Sequence, residues 1–302
     1  MKKVSVILTT YNSENSIQDV INSIKNQKGI NVNFEIELIV VDDCSSDKTT
    51  EILKDKNISY LTTEKNSGGP NKGRNIALKH STGDFICIAD HDDVWFPNKV
   101  ISLIKYSDKA PIITSGYTLE NINTGRKEDR INESSDGYLM FEKDETFLTK
   151  LTKSRVGQQT YLGSIMFSSN LKEILFEEEI GMIDFDWVLK LFYNRKSVEI
   201  SKSLYLRKVD GKNLSLDENY RINDYNFSLQ TIKSYSKYFP KEVNLSEKRI
   251  NGSMGRYYYL TGNMKLSRKY LMKSSINIKT ILYLITTFVG SKIVKRYFNI
   301  FG

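Results

Sequence analysis

A chain of 302 residues, 39% hydrophobic and 26% charged, has the usage of a globular protein long enough to bury one large core or two smaller ones. Its two cysteines, Cys44 and Cys87, stand far apart with no metal-ligand spacing, which argues against a disulfide framework or a thiolate zinc site and fits a reducing, cytoplasmic setting. The net charge of +8 is uneven: from Lys248 onward there are eleven basic and no acidic residues, while the preceding 247 balance at −3, so an anionic surface would be met by the tail.

Strand and helix signals alternate through the first 120 residues. The apolar run Val4 to Leu8 is too short for a signal-peptide core and predicts a strand over 4–10. Ile17, Val20, Ile21 and Ile24 recur at helical spacing and predict a helix over 16–27. Strands are expected at 36–43, 58–63, 84–90 and 111–120, with helices at 47–56 and 71–81, the second opened by Pro70. This alternation predicts an α/β fold with a mostly parallel sheet flanked by helices. Residues 121–159 are polar and weakly periodic and read as a long connection. A strand over 160–170, a helix over 184–195 and a strand over 196–208 follow. From about 217 the pattern is helical, with a turn at Gly262 and Asn263. The expected organisation is a domain over 1–215, divided near 120, and a helical region over 216–302.

Ligands of such sheets bind beyond the carboxyl ends of the strands. Three polar sites fall there: Thr9 to Asn12, Asp42 to Asp47, and Asp90 to Asp93. Asp90 and Asp92, two apart on an extended chain, project to one side, where a hard cation such as Mg²⁺ or Mn²⁺ would see both carboxylates. The plainer alternative is a solvated turn in which Asp93 caps a helix that Pro97 helps to start, which explains one aspartate of the three. Asp42 or Asp43 can accept an N–H from a planar base, and Tyr11 can stack on it. Arg74, on a helix that follows the glycines of NSGGPNKGRN, suits a phosphate or base edge.

Taken together, VSVILTTYN, ELIVVDDCSSDKT, NSGGPNKGRNIAL, STGDFICIADHDDVWFP, GSIMFSSNL and IDFDWVLKL resemble the family 2 glycosyltransferases, in family order over roughly residues 4–215. The resemblance implies a GT-A-like fold and an inverting transfer of a hexosyl or N-acetylhexosaminyl group. The donor would be a nucleotide sugar, usually a UDP-sugar, aided by a divalent metal. On the matched positions Thr9, Tyr11, Asp43, Asn66 and Arg74 would surround the nucleotide, Asp90 would approach the ribose or metal, and Asp92 would be the principal metal ligand.

Inversion needs a base. The family's acidic pair at a helix start reads Ile183-Asp184 here, so Asp184 matches the second acid and the first is absent. Asp184 shares a helical face with Trp187, Val188 and Leu191, which points its carboxylate inward, while Asp186 faces elsewhere. Relatives carry a histidine near Val209; here Arg207, Lys208 or Lys212 would offset the leaving diphosphate instead, with a solvated basic loop as the alternative.

The tail has twelve uncharged residues between Lys279 and Lys292, too few to span a bilayer. Aromatic and aliphatic residues flanked by lysines suit a membrane-surface helix over 276–302, with a core-packed helical hairpin as the alternative. The combined reading is a glycosyltransferase at the inner face of the cell membrane, acting on a glycan or lipid-linked acceptor in surface polysaccharide synthesis, with no nucleic-acid partner. A metal-dependent nucleotidyltransferase and a basic nucleic-acid-binding protein are the alternatives; the latter leaves the acidic strand ends unexplained.

Overall fold

The computed structural model describes residues 1–154, 156–209 and 217–289. It divides into two compact units, Met1–Phe147 with Gly157–Asn213, and Leu148–Val156 with Leu214–Gly302.

The first unit is built on one mixed sheet. Its strands are β1 (Lys2–Thr10), β2 (Phe34–Asp42), β3 (Tyr60–Thr62), β4 (Phe85–Ala89), β5 (Val94–Trp95), β6 (Ile112–Asn121), β7 (Lys127–Arg130), β8 (Tyr138–Phe141), β9 (Met166–Ser168) and β10 (Ser197–Val209). The main order is β3-β2-β1-β4-β9-β6-β10-β5, with β7 on β6 and β8 on β10. Strands β3, β2, β1 and β4 pair in parallel, as the β/α alternation demands, and β6 pairs in parallel with β10. Antiparallel pairs join β9 to β4 and β6, and β10 to β5 and β8. Helices α1 (Ile17–Lys25), α2 (Thr49–Asp55) and α3 (Asn71–His80) connect the parallel strands. The expected apolar stripe of α1 is the one buried: Ile17, Val20, Ile21 and Ile24 join Val4, Val6 and Leu8 in the core.

The stretch 121–159 differs from its reading as a plain connection. It holds β7, β8 and α5 (Glu145–Leu151). All four residues of β7 are exposed, and its pairing with β6 runs through the backbone, so no apolar alternation announces it. The expected strand over 160–170 is only β9, between short 3₁₀ turns at Leu162–Ser164 and Ser169–Leu171.

One partly buried cluster ties the parallel half together. Glu37 on β2 lies opposite Ser5 on β1. Its carboxylate accepts from Lys3 Nζ at 2.8 Å, from Ser5 Oγ, and from Thr82 N at 2.8 Å. Burial by itself would raise this pKa, but the hydrogen bonds from Lys3, Ser5 and Thr82 hold it down at about 2, against an ordinary 4.5. Because folding lowers the pKa, the stabilisation is complete above pH 4.5 and fades as pH falls toward 2. Glu37→Gln is therefore expected to lower unfolding stability at pH 7 by about 1 kcal/mol, the full shift being reduced by solvent screening at this part-exposed site. Urea melts should show the gap from wild type closing at low pH; an equal deficit at pH 7 and pH 2.5 would reject the assignment.

The second unit is helical: α7 (Glu218–Lys233), α8 (Pro240–Thr261), α9 (Met264–Leu271) and α10 (Ile278–Thr286). The predicted turn falls at Gly262 and Asn263, where Asn263 caps α9 by accepting from Leu266 N. Helix α10 is amphipathic in an unusual sense: Tyr283 packs edge-on against Tyr259, 4.8 Å between ring centres, while Ile278, Ile281, Leu282 and Ile285 face solvent. Residues 290–302 of the predicted membrane segment, and Lys212, lie outside the described residues.

Candidate active site

Parallel pairing of β1 with β2 and β4 brings their carboxyl ends side by side, with Thr10 level with Asp42 and Leu8 level with Ala89. The three polar strand ends thus become one surface. Their side chains divide the work. Asp42 accepts from Ser45 N at 2.9 Å and from Ser45 Oγ, which closes the turn after β2. Asp47 accepts from Thr49 N at 2.9 Å, satisfying an N–H at the start of α2. Buried Asp43 holds the loop beyond β3, accepting from Thr63 Oγ1 at 2.6 Å and from Ser67 N at 3.0 Å. Asn66 in that loop is exposed and donates to the Asp43 carbonyl at 3.3 Å. Thr9 is buried, whereas Tyr11 stands exposed beside it.

Helix α3 supplies the arginine. Arg74 is buried, donates to Asp90 Oδ1 at 2.9 Å and to Asn71 Oδ1 at 3.0 Å, and lies 5.3 Å from the Phe176 ring centre. Its Nε is buried without an acceptor. Arg74 and Asp90, expected at separate parts of a ligand, are thus an ion pair with each other.

The segment Asp90 to Asp93 is a turn, with Asp93 N donating to the Asp90 carbonyl at 3.3 Å. The extended-chain alternation that aimed Asp90 and Asp92 to one side does not apply to it. Nor does Asp93 cap a helix: β5 intervenes, and α4 (Lys99–Ile104) begins only after Asn98. Asp93 is instead buried, and burial, with Asp90 and Asp92 adding to the effect, pushes its carboxyl up to about 8. Beneath it, fully buried Lys99 donates to the Gly163 carbonyl, 4.1 Å from the Trp95 ring centre and 4.7 Å from that of Tyr205. Burial brings its ammonium down to about 8. Partial desolvation, and after it the charge of Asp90, raises the Asp92 carboxyl above its ordinary value although that side chain reaches solvent. Of three neighbouring aspartates, then, one is neutral at pH 7, one answers Arg74, and Asp92 stands at the surface.

Asp184 precedes α6 (Phe185–Phe192) as its N-cap and is exposed, contrary to the inward orientation expected from its helical face. The reason is positional: side chains tilt toward the helix N-terminus, so a cap side chain projects past the helix with no preceding turn beneath it. Asp186 is the more buried of the two and pairs with Lys190 at 2.6 Å. What brings Asp184 toward the strand ends is the loop before it. Glu177 accepts from Ile180 N at 2.8 Å, from Gly181 N at 3.2 Å and from Ile183 N at 3.1 Å. Asn71, fully buried, donates through Nδ2 to Glu177 at 3.1 Å and to the Ile183 carbonyl at 3.0 Å, and its N–H reaches the Gly181 carbonyl at 3.0 Å. A side chain on Gly69 would collide with that carbonyl, so only glycine lets the loop seat against α3. Asn71 therefore links the Arg74–Asp90 pair to the segment carrying Asp184.

Sequence reasoning missed Asn71, Glu177 and Gly69 in these roles. Asn71 reads as a first helical residue and Glu177 as part of a solvated acidic run; no local pattern signals either. Arg207 completes the surface: β10 pairs antiparallel with β5, with Leu206 opposite Val94, which sets Arg207 beside Asp93. Its guanidinium lies 4.5 Å from the Tyr161 ring centre and its charge acts on both Asp92 and Asp93. Among the described residues no three side chains of His, Cys, Asp or Glu form a metal cage by themselves. Asp90 and Asp92, near enough for the charge of one to act on the other, offer hard oxygens, the donor type that takes a divalent cation when phosphate and water complete its shell.

An α/β sheet with its charged groups gathered beyond the carboxyl ends of parallel strands is an architecture that binds its ligand at that end. The chain belongs to glycosyl transferase family 2, whose family model matches residues 5–174. It is 44% identical over 97 residues to the poly(ribitol-phosphate) beta-N-acetylglucosaminyltransferase TarS of Staphylococcus aureus, which covers 31% of this chain and 17% of TarS. Over 314 residues it is 26% identical to the GalNAc(5)-diNAcBac-PP-undecaprenol beta-1,3-glucosyltransferase of Campylobacter jejuni, covering 98% of this chain and 96% of that protein. The solved structure of S. aureus TarS 1-349 with UDP-GlcNAc superposes with a TM-score of 0.57 at 18% identity, covering 98% of this chain and 92% of that one. The mannosyltransferase PcManGT of Pyrobaculum calidifontis, solved with GDP-Man and Mn²⁺, gives 0.57 at 13% identity over 99% and 88% of the two chains. The fold is accordingly GT-A-like, with a helical region after the sheet.

Proposed function

We propose that the chain transfers a sugar, with inversion, from a UDP-sugar to a hydroxyl of a glycan or lipid-linked acceptor used in surface polysaccharide synthesis. The observation that carries this reading is the convergence of Asp43, the Arg74–Asp90 pair, Asp92 and the Asp184 loop at one end of β1, β2 and β4, with Asn71 joining them. In it Tyr11 and Asp43 meet the base, with Thr9 and Asn66 shaping their loops. Arg74 and Asp90 fix the ribose and diphosphate side. Asp92, with Asp90, would hold Mn²⁺ or Mg²⁺, which when bound neutralises the charge of the donor diphosphate. Asp184 takes the proton from the acceptor hydroxyl as that oxygen attacks the anomeric carbon opposite the leaving diphosphate. Arg207 offsets the negative charge that develops on the leaving group. TarS, solved with UDP-GlcNAc and named for transfer to poly(ribitol-phosphate), and the C. jejuni relative named for an undecaprenol-linked glycan support the donor and acceptor classes. A screen of nucleotide sugars for metal-dependent hydrolysis and thermal stabilisation tests the reading. One UDP-sugar should raise the melting temperature and be turned over; no response to any nucleotide sugar, with nucleoside triphosphates consumed instead, would favour nucleotidyl transfer.

No helix among the described residues is long and apolar enough to cross a membrane. The exposed apolar face of α10, continued by Ile276, Phe288 and Val289 and set in a region free of acidic residues, supports peripheral docking on anionic lipid. Ile278→Asp with Ile285→Asp should weaken sedimentation with phosphatidylglycerol vesicles by about tenfold or more while Tyr283 keeps the helix packed. Unchanged sedimentation would remove α10 from the docking surface.

A further inference from the structure

A cavity of about 520 Å³ is formed entirely within the helical unit and not at the strand ends. Among the described residues its lining is strongly one-signed: Lys153, Arg221, Lys248, Arg249, Arg256 and Lys279 face it together with a single carboxylate, Asp224. These cations come from four different segments, the 148–156 stretch, α7, α8 and the start of α10, so the chain gathers them in space and not by a local run.

Several are oriented by groups that carry no charge. Arg249 Nη1 donates to the Thr152 carbonyl at 2.6 Å, Lys153 Nζ to Ser228 Oγ at 3.2 Å, and the Arg221 guanidinium lies 5.6 Å from the Tyr257 ring centre. Such contacts fix direction. The floor is kept open by Gly252 in the middle of α8, where a Cβ would come within 3.2 Å of Arg256 Nη1 and of Ser274 Cβ. Placing glycine inside a 22-residue helix lowers helix propensity, and here it leaves Arg256 space against the backbone. The N-terminus of α10, capped by Asn277 accepting from Thr280 N at 2.9 Å, adds the positive end of a helix dipole to the same lining.

Six cationic side chains around one concavity make it attractive to an anion. A lone carboxylate would neutralise one cation. A group with several oxygens, reachable from several directions and carrying two or more charges, matches six donors arranged around a space of this size, and that is phosphate chemistry. We propose that this cavity is a binding site for a phosphate-bearing anion, a diphosphate or the phosphodiester headgroup of a lipid. It is built from residues that take no part in the proposed transfer reaction.

The test uses the full chain, with inorganic pyrophosphate titrated by calorimetry in the presence of EDTA. Sedimentation with phosphatidylglycerol and phosphatidylcholine vesicles runs in parallel. Lys248→Gln with Arg256→Gln should weaken pyrophosphate binding by about tenfold or more, as loss of two charge-assisted contacts implies, and leave UDP binding in Mg²⁺ unchanged. If wild type ignores pyrophosphate but prefers phosphatidylglycerol, and the double variant loses that preference while still binding phosphatidylcholine as wild type does, the phosphate belongs to a lipid headgroup. Pyrophosphate binding within about twofold of wild type in the variant, with its lipid preference intact, overturns the proposal. So does a wild type that responds to neither probe. Should the double variant fail to fold by circular dichroism, Lys248→Gln with Lys279→Gln, both at exposed positions, decides the same question. Because UDP binding is read separately, failure of this site and failure of the donor reading are distinguishable.

Discussion

Asp184→Asn is expected to lower the rate of sugar transfer by about 10²-fold or more while leaving affinity for the donor nearly unchanged. The amide keeps the size of the carboxylate and cannot accept the acceptor's proton. Exposure suits this role better than the inward orientation first expected, since an incoming hydroxyl must reach the base. The loop behind Asp184 is fixed by Glu177, by Asn71 and by the close seat at Gly69, so the substitution should not disturb its position. Asp186→Asn is the internal control: it breaks an ion pair with the half-exposed Lys190 on the same helix, an interaction worth only about 0.5 kcal/mol, and should leave turnover near wild type. Single-turnover transfer with equilibrium donor binding separates the two effects. Abolished turnover in Asp186→Asn with Asp184→Asn active would reverse the assignment.

Asp92→Asn is expected to remove most of the gain in donor affinity that Mn²⁺ or Mg²⁺ brings, because a neutral amide attracts a hard cation far less than a carboxylate does. The neighbouring aspartates make the prediction specific. Asp90→Asn would release the buried guanidinium of Arg74, so it should reduce folding stability as well as binding. Asp93→Asn should do neither at pH 7, since the carboxyl it replaces, pushed up to about 8 by burial, is already neutral there. Folding raises this pKa, so ionisation in the unfolded chain draws stability away as pH climbs from about 4 to about 8. The Asp93→Asn variant should therefore gain stability relative to wild type across that interval. Donor titrations with and without metal, with thermal melts at pH 5 and pH 8, read all three variants. Metal-dependent binding that survives Asp92→Asn and disappears with Asp93→Asn would move the metal ligand to the buried position.

Much of the architecture is a consequence of local periodicity. Ile17, Val20, Ile21 and Ile24 can share a buried face only as a helix, and the apolar runs ending at Thr10, Asp42 and Ala89 can be satisfied only as strands covered on both sides. Once those strands are parallel, the polar residues after each run must meet at one end of the sheet, so their gathering into one acidic surface was legible from the chain alone. Strand β7 was not, because an exposed charged strand is held by backbone hydrogen bonds that leave no mark on residue type.

The sequence by itself determined which residues collect at the strand ends; only the tertiary structure decided what each does there. Asp90 is committed to Arg74, Asp93 is pushed toward its neutral form by burial near Asp90 and Asp92, and Asp43 holds the Thr63–Ser67 loop, although all three read alike as acids after a strand. Asn71 and Glu177, 106 residues apart, join the two halves of the site through hydrogen bonds that no spacing predicts. The physical reason is one of range. Hydrophobic periodicity is written into every turn of a helix and every second residue of a strand, whereas a carboxylate's charge state and partner depend on which distant groups exclude water from it, and those are set only when the chain has packed.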